Sequence, residues 1–192
     1  ASTPTPLPVP ITQTACYPDS SSGLHCFALI QNETPNILEN VSVKFNLLDE
    51  SNNVIASETA FIILDIIPAN SSLPVYAYFS NINRAVNPQA QLLSALQNNS
   101  NNYLPAMIQN SIAEINGKYA QLSGKIYLPA ESQPASQIWV AAVAYNQDGN
   151  VVGVRRWEGG GIQPGGSINF QFSVSSVGHD IEAVEFFIQA KP

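Results

Sequence analysis

An internal repeat at an offset of 97 residues constrains this chain more than any other feature. Val41, Val43, Phe45 and Leu47 of "NVSVKFNLL" fall on Ile138, Val140, Ala142 and Ala144 under that shift. The turn "DESNNVI" falls on "NQDGNVV". A one-residue deletion then brings Pro68 onto Pro164, and one more brings Leu73, Val75, Ala77 and Phe79 onto Ile168, Phe170, Phe172 and Val174. Landmarks in the same order at a near-constant offset argue for duplication. Two copies are too few for a solenoid, so the chain reads as a tandem pair.

Alternation of period two dominates both copies. Val41, Val43, Phe45 and Leu47 share one face while Ser42, Lys44 and Asn46 share the other, the pattern of a half-buried strand. "DESNN" supplies turn residues and "VIASETAFIIL" resumes an extended pattern, so the pair reads as a hairpin. In the second copy Asp148-Gly149 is a hairpin signal, since both positions of such a turn want positive φ. Each copy carries about seven short extended segments within roughly 80–95 residues, the pattern of a small sandwich.

The expected fold class is therefore all-β: two tandem immunoglobulin-like antiparallel β-sandwiches with a short helix in the connecting segment. That helix is expected over 88–97, where Leu92, Leu93 and Leu96 stand at helical spacing after Pro88. The expected divisions are a Pro/Thr-rich tether at 1–14, a first sandwich at 15–111 and a second at 112–192. The boundary is set by the turn signal Asn116-Gly117, with "YLPAMI" closing the first copy.

"FNLLD", residues 45–49, is similar to the F-x-L-Y-D pattern of bacterial FxLYD domains, with Leu48 in place of the Tyr. "AVAYN", residues 142–146, keeps Tyr145 and the turn that follows, with Ala for Phe, Ala for Leu and Asn for Asp. The chain thus resembles two FxLYD-type modules in tandem. That resemblance implies β-sandwich modules on the extracytoplasmic side of a bacterial envelope. It brings no shared catalytic site, so no site residues carry over.

The formal net charge is -7, from 7 basic and 14 acidic residues, which argues against nucleic-acid partners because these need a basic face. No run of 18 apolar residues exists, so no membrane-spanning helix is expected in this chain. "ASTPTPLPVP" lacks an initial Met and reads as the tether of a processed product, with any anchor upstream. Cys16 and Cys26 have the wrong spacing for a CxxC redox or zinc pair. A disulfide closing a small peripheral loop is the favoured reading and two buried free thiols the other. The disulfide implies an oxidising, extracellular or cell-envelope location.

No catalytic residue is expected. His179 adjoins Asp180, yet no Ser in a G-x-S-x-G elbow accompanies them, and His25 reads as a plain strand side chain. In "NQDGNVVGV" Gly149 is misplaced for a calcium loop and no terminal Glu follows, so neither metal nor cofactor is expected. The sequons at Asn32, Asn40, Asn70 and Asn98 read as chance products of an Asn-rich chain.

The candidate binding residues are Trp139, Tyr145, Arg155 and Trp157. The outward positions of the central strand are Ser42, Lys44, Asn46 and Leu48 in the first copy, but Trp139, Ala141, Val143 and Tyr145 in the second. A strand apolar on both faces is either covered on both or sticky. Either the linker or the first domain covers Trp139 and Tyr145, which is the expected case, or they form an aromatic platform flanked by Arg155 and Trp157. The expected function is a non-enzymatic exported structural or interaction module that spaces, displays or docks at the cell envelope. The alternative is a carbohydrate- or peptide-binding module using that aromatic face, with a protein or glycan at the cell surface as partner.

Overall fold

The computed structural model describes residues 7–82, 86–97 and 102–192. Contacts divide the chain into two compact units, Ala1–Asn99 and Ser100–Pro192. The first holds β1 (Ile11–Pro18), β2 (Leu24–Asn32), β3 (Leu38–Leu48), β4 (Val54–Phe61), β5 (Ile66–Ile67), β6 (Ser71–Phe79) and β7 (Asn87–Gln97). The second holds β8 (Met107–Asn116), β9 (Tyr119–Tyr127), β10 (Gln137–Tyr145), β11 (Val151–Gly159), β12 (Ser167–Ser175) and β13 (Ala183–Lys191). Every pairing among the described residues is antiparallel.

The same strand order recurs in both units. The first has one sheet ordered β1-β2-β6 and another in which β3 lies between β7 on one side and β4 and β5 on the other. The second has β8-β9-β12 and β11-β10-β13. The repeat seen in the amino acids is thus a repeat of topology. Val41, Val43, Phe45 and Leu47 of β3 are buried, and so are Ile138, Val140, Ala142 and Ala144 of β10. In the second unit, Val140, Ile126, Leu128 and Phe170 form a core with residues from both sheets, which is the packing of a sandwich.

The turns repeat too. Asp49 Oδ1 accepts the N–H of Ser51 and Asn53, and Asn146 Oδ1 accepts those of Asp148 and Asn150. A third copy joins β1 to β2, where Asp19 Oδ1 accepts from Ser21 and Gly23. A side-chain oxygen that captures its own loop's donors satisfies groups the ladder has left behind. Asn146 fills the role of Asp49 because the turn needs an acceptor oxygen and not a charge. The hairpin is not the two-residue Asp-Gly turn expected at 148–149: Asn146 to Asn150 form a wider loop, and only Gly149 has positive φ, at 76°.

Three expectations are corrected. Residues 88–97 form the strand β7 and not a helix, and no helix occurs among the described residues. Leucines at 92, 93 and 96 suit a helical turn, but Pro88, Ala90, Leu92 and Ser94 also alternate. Pairing of β7 along β3, with Leu92 opposite Val43, decides between the two periods. The boundary lies at 99/100 rather than 111/112, because Asn116-Gly117 is the hairpin turn joining β8 to β9, with Gly117 at φ 57°. The expected tether at 1–14 is partly strand, since β1 begins at Ile11 and Pro10 O accepts the N–H of Gln31. Residues 1–6 lie outside the described part.

Candidate functional site

In the second unit β10 is the middle strand of its sheet, so its outward residues sit between two neighbours. Trp139 stands opposite Glu158 of β11 and Gln189 of β13, and Ala141 stands opposite Arg156 and Phe187. Directly paired residues share a face, which places Arg156 beside Trp139. Its guanidinium carbon lies 3.9 Å from the Trp139 ring centroid. Glu158 clamps the same guanidinium, accepting from Nε at 3.0 Å and from Nη2 at 2.5 Å. The Lys191 ammonium lies 5.9 Å from the Trp139 ring and 5.5 Å from that of Tyr103. Trp139 therefore has its own cations.

Tyr145 ends the same face. Its hydroxyl donates to Glu185 Oε2 at 3.2 Å. Burial first, then the charge and hydrogen bond of Glu185, push the phenol well above its ordinary pKa, so it stays a neutral donor.

Trp157 lies elsewhere. It stands opposite Val140, on the core face, and its ring centroid is 6.0 Å from that of Phe170. It covers Gly159 so closely that an added Cβ would run into the ring. Arg155, opposite Ala142, has core-face parity but is exposed on β11. The structure thus brings Trp139 and Tyr145 to one face and separates Trp157 from them. The reason is register: Val140, not Trp139, meets Trp157, and a shift of one residue changes the face.

Cys16 and Cys26 form a disulfide. They are a directly paired couple of β1 and β2 with Cα atoms 4.1 Å apart, and Cys26 is fully buried. The bridge is a rung between two strands, closer to the core than a peripheral loop clasp.

A second aromatic group escaped the sequence analysis. On the outer face of β1-β2-β6, Tyr17, His25 and Tyr78 form one row and Ala15, Phe27 and Tyr76 the next. Ring centroids are 4.9 Å apart for His25–Tyr78, 5.9 Å for His25–Tyr76 and 5.3 Å for Phe27–Tyr76. His25 Nδ1 shares a 2.8 Å hydrogen bond with the Tyr76 hydroxyl, and Tyr78 donates to Asp19 Oδ2 at 3.0 Å. The signal was present in "PVYAYF": the strand whose core face is Val75, Ala77 and Phe79 carries Tyr76 and Tyr78 on its reverse.

Around His179 the loops leave a polar cleft of about 550 Å³ lined by Lys118, Asp148, His179, Asp180 and Glu182. Ser176 Oγ donates to the backbone carbonyl of His179, a turn contact. No group of three or more metal-binding side chains suited to holding an ion occurs among the described residues. No helix among them is long and apolar enough to cross a membrane.

No known family matches the chain, and no curated protein does. Among solved structures, a crystal structure of red sea bream transglutaminase matches with a TM-score of 0.28 and 10% identity. That match covers 93% of this chain and 29% of the enzyme's.

Proposed function

We propose that the chain is a non-enzymatic, exported structural and docking module: two immunoglobulin-like sandwiches in tandem, of the FxLYD-like type that "FNLLD" and "AVAYN" resemble. The observation that carries this reading is how the polar groups are used. Asp19, Asp49 and Asn146 build turns, Tyr145 and Glu185 tie β10 to β13, and Arg156 and Glu158 cover Trp139. Side chains committed to architecture favour a scaffold over a catalyst. The Cys16–Cys26 disulfide supports an extracellular or cell-envelope location, where such bridges persist.

The alternative platform of Trp139, Tyr145, Arg155 and Trp157 loses support, because Trp157 faces the core and Trp139 is covered by Arg156. Partners at the cell surface, protein or glycan, remain part of the proposal. The test is a panel of chromogenic acyl, glycosyl and phosphoryl substrates presented to the oxidised full chain. No turnover above buffer is expected. Turnover removed by a single side-chain substitution that leaves the fold intact would overturn the reading.

A further inference from the structure

The two units treat their outward aromatic residues in opposite ways. In the second unit Trp139 carries Arg156 and Lys191, and Glu158 completes a ring–guanidinium–carboxylate sandwich. In the first unit the rings and the carboxylate are present, and among the described residues the group beside the carboxylate is the His25 imidazole, its Nε2 3.6 Å from Asp19 Oδ2. Tyr76 and Tyr78 are 40% and 41% exposed, and Asp19 stands at the end of their row. Among the described residues no lysine or arginine lies over either ring.

Charge follows the same division. Residues 1–99 hold two basic residues (Lys44, Arg84) against seven acidic ones, a formal -5. Residues 100–192 hold five against seven, a formal -2. The first unit therefore attracts cations, and its aromatic face offers electron-rich ring surfaces beside a carboxylate. The site has few donors left to offer. Tyr78 gives its proton to Asp19, and the Tyr76 hydroxyl is paired with His25. The N–H groups of Gly23 and Ser21, with help from Tyr78 and His25, hold the Asp19 carboxyl below the usual carboxylate range, so it is charged at neutral pH. An acceptor-rich, anionic aromatic surface suits a planar cation that donates hydrogen bonds while stacking.

We infer that the face formed by Tyr76, Tyr78, His25 and Asp19 is a docking site for an arginine side chain of a partner polypeptide, with the guanidinium stacked on the tyrosines and bonded to Asp19 Oδ2. Arg156 between Trp139 and Glu158 shows the same three-part contact inside this chain. A single exposed stacking contact of this kind is weak, so a lone arginine binds loosely and useful affinity comes from a longer basic segment.

The experiment titrates the isotopically labelled full chain with the blocked peptide acetyl-Gly-Arg-Gly-amide, followed by amide and aromatic NMR shifts. The citrulline peptide, isosteric and uncharged, is the control, and tetramethylammonium and a neutral cello-oligosaccharide are separate arms. Saturable shifts at Tyr76, Tyr78, His25 and Asp19–Gly23 are expected with arginine. Binding should be at least fivefold weaker with citrulline and should weaken in salt. Asp19→Asn is the decisive variant, because Asn146 shows that an amide oxygen can hold this turn while the charge is gone. It should weaken arginine binding several-fold with unchanged amide shifts elsewhere, and Tyr78→Leu should do the same. Equal binding of the citrulline peptide, binding of the oligosaccharide or tetramethylammonium in preference to arginine, shifts confined to Trp139, or full affinity in Asp19→Asn would each overturn the inference.

Discussion

Arg156 lies over the Trp139 ring at 3.9 Å, and Glu158 holds it there. The pair closes what would be a sticky strand face with a side chain from the next strand. Arg156→Ala should uncover the ring, shift Trp emission to the red and lower stability by about 1 kcal/mol, through lost stacking and stem packing. Arg156→Lys should recover part of it, because an ammonium stacks less well than a planar guanidinium. Emission spectra and urea melts of the two variants check this.

Asn146 holds its turn with one oxygen, so removing it leaves two backbone donors without their acceptor. Asn146→Ala should cost about 1–3 kcal/mol. Asn146→Asp should cost less, since Asp49 and Asp19 build the same turn with a carboxylate. Thermal melts of both variants at neutral pH give the comparison.

Asp19 makes stability depend on pH in a defined direction. Its carboxyl is held below the ordinary range, first by the N–H of Gly23 and then by that of Ser21. A depressed folded pKa stabilises above the unfolded value of about 3.9, and that stabilisation is lost as pH falls through the folded value. The melting temperature of Asp19→Asn should therefore lie below the parent's at neutral pH, and the gap should close in strong acid. A gap that widens on acidification would contradict this.

The Cys16–Cys26 rung links strands already paired along their length. Reduction should lower stability by about 2.5–3 kcal/mol, the loop-closure value for so short a separation. The fold should survive, as judged by far-ultraviolet circular dichroism of the reduced protein.

Much of the fold could be read before any coordinates. The 97-residue offset carried the duplication, and the alternation of Val41 to Leu47 identified the buried face of β3. What failed did so where local signals had two meanings. Leu92, Leu93 and Leu96 fit a helix, and only β3 alongside makes them a strand. Asn116-Gly117 marks a turn equally well inside a unit or between units. The candidate site was less legible, because a site depends on which residues share a face across strands. Alternation along β11 groups Arg155 with Trp157, but nothing within one strand says whether Trp139 or Val140 meets Trp157. Tyr76 and Tyr78 stand on the reverse of β6, and only β2 alongside groups them with His25 and Phe27.

Polar and aromatic side chains serve as architecture in both units, and Trp157 offers the sharpest test of it. Trp139→Phe leaves Trp157 as the sole tryptophan, and Trp157→Phe leaves Trp139. Acrylamide quenching of the Trp157-only variant should show an indole that is blue-shifted and poorly quenched, packed between Phe170 and the Gly159 backbone. Trp157 is partly buried against the core, so Trp157→Ala should cost about 3 kcal/mol, the low end for large aromatic truncations. A Trp157 that quenches as freely as a solvated indole, with no loss of stability in Trp157→Ala, would contradict the account and restore that residue to an open binding face.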